Sequence, residues 1–153
     1  MTAPHDQGVD ELGELFLRVS RRFRRASMSA LEPYGINPHQ ARALRMIIRH
    51  GPLRPSQLAE ILQIALRSTT QVVDDLVAQG LVQREPDPTD RRAILVSATP
   101  AGRERSTEIR TIRAEQSREL LGVLSAEDQA GLLRVLRLLE AGQDQVRQAH
   151  SPD

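Results

Sequence analysis

The 153-residue sequence predicts a mainly α-helical chain with one small β-hairpin, and three patterns carry this prediction. Near the start of the chain, apolar side chains recur at alternating steps of three and four, which is the heptad seam of a long helix. Two short helices are then joined by a turn of only three residues. Two strand-like runs rich in branched side chains follow, and a polar tip stiffened by proline separates them.

The first helix is predicted to run from Val9 to Leu31, after a tail of residues 1–8 and before the helix breakers Pro33 and Gly35. Its seam consists of Val9, Leu12, Phe16, Val19, Phe23, Ala26 and Ala30. Other apolar residues widen the apolar surface beyond that seam. A helix with apolar surface on more than one side is usually buried or shared between two chains.

The second, third and fourth helices are marked by their capping residues. Asn37 and Pro38 combine a helix cap with a proline in the first turn, and Gly51 is expected to end the second helix with a left-handed backbone. The turn at 63–65 then separates a short third helix from a fourth helix at 66–79. Two short helices joined by so tight a turn form a helix-turn-helix.

The hairpin is predicted directly after the fourth helix, which Gly80 is expected to close. Its strands lie at 81–85 and 93–97, where branched side chains cluster. Between them, residues 86–92 form a polar tip. A hairpin that follows a helix-turn-helix in this order is the wing of a winged helix-turn-helix.

Two more helices complete the chain. A fifth helix is predicted from the proline after Thr99 to about Leu124, by the same logic of a cap followed by proline. Ser125, with Asp128 three residues on, gives the last helix a start that resembles a capping box. Residues 148–153 are predicted to be a tail.

Composition excludes several classes of function. The sequence has no cysteine, which excludes disulfides, thiolate nucleophiles, thiol-based redox sensors and cysteine-based zinc sites. The four histidines are scattered and no Gly-rich phosphate loop or His-Glu metal motif occurs, so an enzyme is disfavoured and no cofactor or metal is expected. No apolar run has the length of a signal peptide or a membrane span, so the chain is expected to be cytoplasmic. The net charge of +1 does not indicate a nucleic-acid binder, and the positions of the charges must decide.

Four short sequence motifs along the chain carry a family resemblance. They are Leu-Ala-Glu at 58–60, Leu-Val-Ala-Gln-Gly-Leu-Val at 76–82, Asp-Pro-Thr-Asp-Arg-Arg at 87–92 and Thr-Pro-Ala-Gly at 99–102. With these motifs the chain resembles the MarR (multiple antibiotic resistance regulator) family over about residues 9–145. The resemblance implies a homodimeric winged-helix regulator of transcription, whose terminal helices dimerise and whose repression is often relieved by a small ligand.

The resemblance also implies a division of the chain into regions. Residues 1–153 are expected to form a single MarR-like domain. Within it, residues 37–99 form the winged helix-turn-helix that binds DNA, and residues 9–36 and 100–146 form the dimerisation helices. Two copies would then hold their reading helices about one helical turn apart, ~34 Å, over an inverted-repeat operator.

Two departures from the family concern the turn in front of the fourth helix. Many relatives carry glycine where this chain has Gln63, and a left-handed backbone there costs glutamine on the order of 1 kcal/mol relative to glycine. The usual serine cap is replaced by Ala65, which removes a capping oxygen typically worth ~1 kcal/mol. The front of the fourth helix is therefore expected to be held less firmly until DNA is bound.

The fourth helix carries the residues predicted to read bases. On a helical wheel its core side consists of Thr69, Val72, Val73 and Leu76, and the opposite side presents Arg67 and Gln71. A helix-turn-helix offers the N-terminal part of its second helix to the base edges, so Arg67 is predicted to contact guanine and Gln71 adenine. Ser68 and Thr70 are predicted to contact phosphates or less specific base edges. The alternative is an ordinary solvated helix face.

Two carboxylates on the same helix act against binding to phosphate. Asp75 lies four residues after Gln71 and either orients its amide or accepts from a cytosine amino group. A plain solvent role stays open for both Asp74 and Asp75.

The tip of the wing indicates DNA binding more strongly than the fourth helix does. Two adjacent arginines stand on a proline-stiffened loop with aspartates nearby. By resemblance, Asp90 is assigned to bracing the wing, and Arg91 and Arg92 to phosphate or a narrow minor groove. Which of the two arginines enters the groove is left open, and a solvated charged turn is the alternative.

A dense run of arginines lies on the first helix, at Arg18, Arg21, Arg22, Arg24 and Arg25. This run is either a phosphate-facing band, an anchor for an anionic ligand, or a solvated face that pairs with neighbouring carboxylates. The last interpretation is favoured because such runs are most often solvated.

A ligand site is predicted where the dimerisation helices meet the winged region, as in relatives. The candidate lining residues are Phe16, Phe23, Tyr34, His39, Arg42 and Met46. A hydrophobic wall with an arginine suits a small aromatic or anionic ligand, and the alternative is that these are ordinary core and surface residues. The urate-sensing branch of the family relies on a tryptophan in its first helix, which this chain lacks.

Together these patterns and the family resemblance predict a sequence-specific DNA-binding repressor that acts as a homodimer. Release from DNA by a small ligand is what the resemblance implies, and whether this chain has such a ligand is left open. The alternative function is a winged-helix module that only contacts other proteins. The salt dependence of binding to random duplex separates the two, because only a DNA reader loses affinity steeply as salt rises.

Overall fold

The computed structural model describes residues 4–90 and 92–149. The elements in chain order are α1 (Pro4–Leu31), a single 3-10 turn (Glu32–Tyr34), α2 (Pro38–His50), α3 (Pro55–Leu62), α4 (Leu66–Ala78), β1 (Val82–Pro86), β2 (Ile94–Ala98), α5 (Pro100–Leu121) and α6 (Ala126–Ala149). This order confirms the predicted fold, which is mainly helical with one hairpin. The chain divides after Gln116 into two compact units.

α1 begins five residues earlier than predicted. Pro4 takes the first helical position, and the tail predicted for residues 1–8 is wrong for 4–8. The prediction stopped at the first apolar residue of the seam, Val9, but a nucleated helix extends into polar residues at little cost. Residues 1–3 of the predicted tail lie outside the described residues.

α2 begins at the predicted cap. The Asn37 side chain accepts hydrogen bonds from the backbone N–H of His39 and Gln40, both at 2.9 Å. The Gln40 side chain accepts in return from the Asn37 backbone at 2.9 Å, which completes a capping box. At the other end, Gly51 has the positive φ expected, but its ψ of −161° is extended, so the predicted left-handed cap is wrong in detail.

The turn between α3 and α4 has the conformation predicted from the family resemblance. Gln63 is left-handed, with φ 56° and ψ 45°, and it is the one described residue other than glycine with positive φ. Ala65 gives α4 no side-chain cap. Both ends of this turn therefore lack the residue type that would stabilise them best.

α4 ends in the Schellman motif that closes many helices. The Leu81 N–H donates to the Leu76 carbonyl and the Gly80 N–H donates to the Val77 carbonyl, both at 2.9 Å. Gly80 has a φ of 70°, which glycine adopts without strain. This ending turns the chain directly into β1.

The hairpin pairs β1 and β2 antiparallel, with Val82 opposite Ala98. Each strand lies one residue later than predicted. Leu53 also bridges to Val96, so the linker between α2 and α3 is hydrogen-bonded to the hairpin. The wing therefore begins from a base that is tied to the helix-turn-helix rather than projecting freely.

The core of the first unit lies where α2, α3, α4 and the hairpin meet. Its fully buried side chains include Leu44, Ile47, Leu58, Val73, Leu76, Val82 and Val96. Burying such side chains removes roughly 1.5–3 kcal/mol of unfavourable hydration each. This shared core fixes the position of α4 relative to the hairpin.

The start of α5 packs closely on the backbone that follows α4. The Thr99 hydroxyl donates to the Gly80 carbonyl at 2.7 Å and accepts from the Gly102 N–H at 3.1 Å. A β-carbon on Gly102 would lie 2.0 Å from the Leu81 carbonyl oxygen. Packing therefore explains the glycine of the Thr-Pro-Ala-Gly motif, because a side chain at Gly102 would collide with the Leu81 backbone.

The second unit contains the end of α5 and the whole of α6. α5 ends at Leu121, three residues before the predicted end, where the Gly122 N–H donates to the Arg118 carbonyl at 2.8 Å. The Ser125 hydroxyl accepts from the Asp128 N–H at 3.1 Å, as the predicted cap requires. α6 continues through Ala149, so the tail predicted for 148–153 is wrong at its first two residues, and 150–153 lie outside the described residues. Within the described ranges, no helix is long and apolar enough to cross a membrane.

Candidate nucleic-acid interface

α4 buries one side and exposes the other, as the helical wheel predicts. Thr69, Val73 and Leu76 are fully buried, and Val72 packs half-buried against the same core. The exposed side carries the four residues predicted to contact DNA on this helix: Arg67, Ser68, Thr70 and Gln71. The helix therefore presents its N-terminal half to solvent while its apolar side anchors it.

Thr70 and Arg67 differ in how many of their side-chain donors are already used inside the protein. The Thr70 hydroxyl donates to the Leu66 carbonyl at 3.0 Å, so its proton is turned toward its own helix. The Arg67 side chain makes no hydrogen bond or ion pair within the described part of the chain. The donors of the Arg67 guanidinium are thus available to an external acceptor.

Gln71 is held by a carboxylate, which is the first of the two roles considered for Asp75. The Gln71 amide nitrogen donates to Asp75 Oδ1 at 3.0 Å. The second carboxylate oxygen, Oδ2, accepts from the amide nitrogen of Gln40 on α2 at 3.1 Å. A side chain on a different helix is thereby connected to the exposed side of α4.

Asp74, the other carboxylate on this helix, forms an ion pair with Arg84 on β1. Both side chains are more than a third exposed, so the pair adds little to stability. Its effect is on the local charge: Arg84 offsets the carboxylate that would otherwise repel phosphate.

The wing is held at its base by a cluster that we call the wing latch, formed by Arg54, Asp87 and Thr89. Arg54 lies at the N-terminus of α3, and its Nε and Nη2 atoms donate to Asp87 Oδ2 at 2.9 and 2.6 Å. Asp87 Oδ1 accepts from the backbone and hydroxyl of Thr89 at 2.8 and 2.6 Å. The Asp87 carboxylate is buried, and these four hydrogen bonds satisfy both of its oxygens inside the protein.

The electrostatics of the wing latch favour its charged form. Hydrogen bonds from the Thr89 hydroxyl and backbone hold the pKa of Asp87 well below its ordinary value, and Arg54 lowers it further. The hydrogen bond to Asp87 raises the pKa of Arg54. Because the pKa of Asp87 is depressed in the folded chain, the latch contributes at neutral pH and is lost only as the pH falls below the ordinary range of a carboxyl group.

Asp90, to which the sequence assigned the bracing of the wing, takes a smaller part in this cluster. Its Oδ1 accepts from the backbone N–H of Arg92 at 3.1 Å, and its Oδ2 lies 3.7 Å from the Arg54 guanidinium. The Arg92 side chain is exposed. Arg91, the other wing arginine predicted to contact DNA, lies outside the described residues.

Comparison with known proteins identifies the family. A model described as the MarR family matches residues 34–93, which include the helix-turn-helix and most of the wing. An uncharacterized HTH-type transcriptional regulator of Mycobacterium bovis is 30% identical over 120 residues, covering 78% of this chain and 81% of that protein. The chain belongs to the MarR family.

Other MarR-family proteins extend this likeness. The MarR protein of Salmonella typhimurium is 33% identical over 91 residues, so the match covers 60% of this chain and 63% of that protein's own length. The crystal structure of wild-type Escherichia coli MarR is 29% identical, covers 84% of this chain and 95% of that one, and superposes with a TM-score of 0.76. A mutant of that MarR, solved in complex with operator DNA, is 27% identical over 90% of this chain and 99% of that one, with a TM-score of 0.74. The homologues are transcriptional regulators, not enzymes.

None of the six ligand residues predicted for this MarR-family chain is among the lining residues of the cavity between α2 and α5, and their role stays a prediction. Phe16 and Phe23 lie exposed on α1, and Tyr34 contacts Arg105, whose guanidinium carbon lies 6.0 Å from the ring centre. Arg42 donates to the Leu62 carbonyl at 3.1 Å and so caps α3. The two other predicted residues are the exposed His39 and the partly buried Met46.

This cavity, of about 550 Å³, lies between the facing sides of α2 and α5. Its apolar lining includes Ala41, Ile48 and Ile109. Five arginines also line it, and no carboxylate occurs among its described lining residues: Arg45, Arg49, Arg103, Arg110 and Arg113. Burial and the charge of Arg45 lower the pKa of Arg113, which indicates crowded positive charge.

The residues that support the interface from other elements were not predicted from the sequence. Arg54, Gln40 and Arg84 contact partners 33, 35 and 10 residues away, so no local pattern connects them. One signal was present for Gln40, because glutamine three residues after an asparagine cap is a capping-box pattern. The contact of Gln71 with Asp75 was visible as a four-residue spacing on one helix.

Proposed function

We propose that this chain is a cytoplasmic transcriptional repressor that binds an inverted-repeat operator as a homodimer. The observation that carries the proposal is the exposed N-terminal half of α4, where Arg67 has no partner in the described part of the chain and Gln71 is already oriented. The operator complex of the related Escherichia coli MarR supports it.

In this function the N-terminal half of α4 enters the major groove. Arg67 donates two hydrogen bonds to the O6 and N7 acceptors of a guanine, and Gln71 pairs with an adenine. Ser68 contacts a phosphate, which positions the helix without specifying sequence. The Thr70 hydroxyl, whose proton is donated to the Leu66 carbonyl, contacts a base edge as an acceptor. Arg91 and Arg92 contact the adjacent backbone or the minor groove, with Asp90 and the wing latch keeping the tip in place.

Dimerisation is supported by apolar surface that a single chain leaves open to water. On α1, Leu12 is 66% exposed and Phe16 53% exposed, and both belong to the heptad seam. On α6, Leu138 is 63% exposed and Leu139 52%. Monomers rarely expose large contiguous apolar patches, so a second copy is the partner that such self-complementary seams fit best.

The salt dependence of binding to a random-sequence duplex tests DNA binding against the protein-contact alternative. A dimer that neutralises six or more phosphates is expected to lose affinity by about a thousandfold between roughly 50 and 200 mM salt. Sequencing the DNA fragments that copurify with the protein is expected to recover one inverted repeat. A chain that binds no duplex even at low salt contradicts the proposal.

The arginine-lined cavity between α2 and α5 is the proposed site of a small anionic ligand that releases the DNA. Its guanidinium groups suit a carboxylate or phosphate, and its apolar wall suits an aromatic ring. A ligand that binds more tightly to a dimer with a different spacing of its two reading helices shifts the population away from the DNA-bound form.

Arg49→Gln combined with Arg110→Gln is expected to weaken the binding of benzoate or inorganic phosphate by at least about tenfold, since two charged donors are removed. Calorimetric titration of the parent and the variant measures the loss. Benzamide, which has the same ring without the charge, is the matched ligand control, and Arg18→Gln on α1 is the matched protein control. Equal binding of benzoate and benzamide, or no binding of either anion, contradicts an anion site.

A further inference from the structure

Gln40 on α2 is connected to the exposed side of α4 through two hydrogen bonds. Its amide nitrogen donates to Asp75 Oδ2 at 3.1 Å, and Asp75 Oδ1 accepts from the Gln71 amide nitrogen at 3.0 Å. Gln40 is buried, and Asp75 is half-buried between α2 and solvent. We call these three residues the amide relay.

The orientation of the Gln40 amide is fixed from both ends. Its oxygen accepts from the Asn37 backbone N–H at 2.9 Å, while its nitrogen faces the Asp75 carboxylate. Turning the amide over would set two donors against each other at Asn37 and two acceptors against each other at Asp75. Gln40 therefore offers Asp75 a donor at a defined position, and this donor holds the carboxylate in place.

The carboxylate fixes the orientation of Gln71 in the same way. Because Asp75 only accepts hydrogen bonds, the Gln71 amide nitrogen must face it, and the amide oxygen must point away from it. One N–H and the oxygen of Gln71 remain for an outside partner. Both oxygens of Asp75 already accept a hydrogen bond from an amide, and these two bonds assign Asp75 the role of orienting Gln71.

The remaining donor and acceptor of Gln71 match one purine and not the other. Adenine presents an amino donor and the N7 acceptor in the major groove, whereas guanine presents two acceptors, O6 and N7. An amide that offers one acceptor and one donor in a fixed order pairs with the first pattern and leaves its oxygen opposed to an acceptor in the second. The geometry thus favours adenine at the base pair that Gln71 contacts.

We infer that Gln40, which lies outside the recognition helix, is a positioning residue that sets the preference of Gln71 for adenine over guanine. This inference rests on the proposed DNA-binding function. It adds a specificity determinant that touches no base and acts through Asp75.

Gln40→Glu separates the relay from the helix cap. Glutamate keeps the oxygen that accepts from the Asn37 backbone and is itself a favoured capping-box residue. It replaces the donor toward Asp75 with a second negative charge, so Asp75 is pushed out of position and Gln71 loses its fixed orientation. Asp75→Asn is the second variant, since it removes the charged acceptor between the two amides. Asn37→Ala is the matched control, because it removes the capping side chain and leaves the relay intact.

The measurement is the ratio of affinities for two operators that differ only in adenine or guanine at one base pair. That base pair is defined as the one at which Gln71→Ala abolishes preference in a selection from randomised duplexes. The parent is expected to prefer adenine by about 10- to 100-fold, the range of one good bidentate pair. Gln40→Glu and Asp75→Asn are each expected to lower this ratio by at least about fivefold. A uniform loss of affinity cancels in the ratio, so a general weakening is not mistaken for lost specificity.

Asn37→Ala is expected to lower the melting temperature and to leave the ratio unchanged. A Gln40→Glu protein that melts like the parent and keeps the parental ratio overturns the inference, as does a parent with no adenine preference at the Gln71 base pair. If the parent binds no duplex at all, the proposed function itself fails, which is a different outcome from intact binding with unaltered preference.

Discussion

Replacing Leu12 and Phe16 with arginine is expected to convert the protein to monomers and to lower operator affinity by about a hundredfold or more. Both side chains lie exposed on the seam of α1, so the single chain does not need them for its core. Two arginines on the seam would set like charges against each other in a two-fold interface and bury them without partners. A monomer then binds each half-site separately and loses the high effective concentration that a linked second site provides.

Sedimentation velocity of the free protein and titration of a labelled operator measure the two parts of this prediction. The control variant combines Glu11→Arg and Glu14→Arg, which add more positive charge to the same helix away from the seam. That variant is expected to stay dimeric and to bind the operator at least as tightly as the parent. A seam variant that remains dimeric, or a monomer that keeps parental operator affinity, contradicts dimerisation through α1.

Replacing both wing arginines, Arg91→Ala with Arg92→Ala, is expected to weaken binding to every DNA sequence by a similar large factor. Contacts to phosphates carry no sequence information, so operator and random duplex should lose affinity together. The logarithmic salt dependence should become shallower by about 0.9 for each phosphate contact removed. The wing latch of Arg54, Asp87 and Thr89 should keep the hairpin folded in this variant, because none of its atoms is changed.

The matched control removes an adjacent arginine pair from α1, Arg24→Ala with Arg25→Ala. If the arginine run on α1 is a solvated face, this control leaves both the affinity and the salt slope at their parental values. A wing variant that binds as tightly as the parent at moderate salt would show that the wing does not contact DNA. A control variant with a reduced slope would instead assign the α1 run to the phosphate backbone.

The parts of the fold that local sequence determines were predictable. The predictions that were wrong concern the ends of helices and strands. The period of the apolar residues identified which side of α4 is buried, since Thr69, Val73 and Leu76 recur at helical spacing. The start of α1 and the last two residues of α6 were missed because polar residues continue a helix without any apolar signal. Gly51 was misassigned in ψ because glycine allows more than one conformation with positive φ.

The candidate site was predictable only where its contacts are local in sequence. Gln71 and Asp75 are four residues apart on one helix, so their pairing follows from helical geometry. Arg54 stands 33 residues before Asp87, and the chain must fold before the two meet. The arginines of the cavity come from α2 and α5 in the same way, so no local pattern in the sequence groups them.

The most direct test of the central claim is the stoichiometry of the protein on its own operator, measured by native mass spectrometry on a duplex recovered from copurifying DNA. Two chains on one inverted repeat, and a loss of binding when one half-site is moved by half a helical turn, are the predicted results. A single chain per duplex, with affinity indifferent to the spacing of the half-sites, would contradict the claim that two copies of α4 read DNA together.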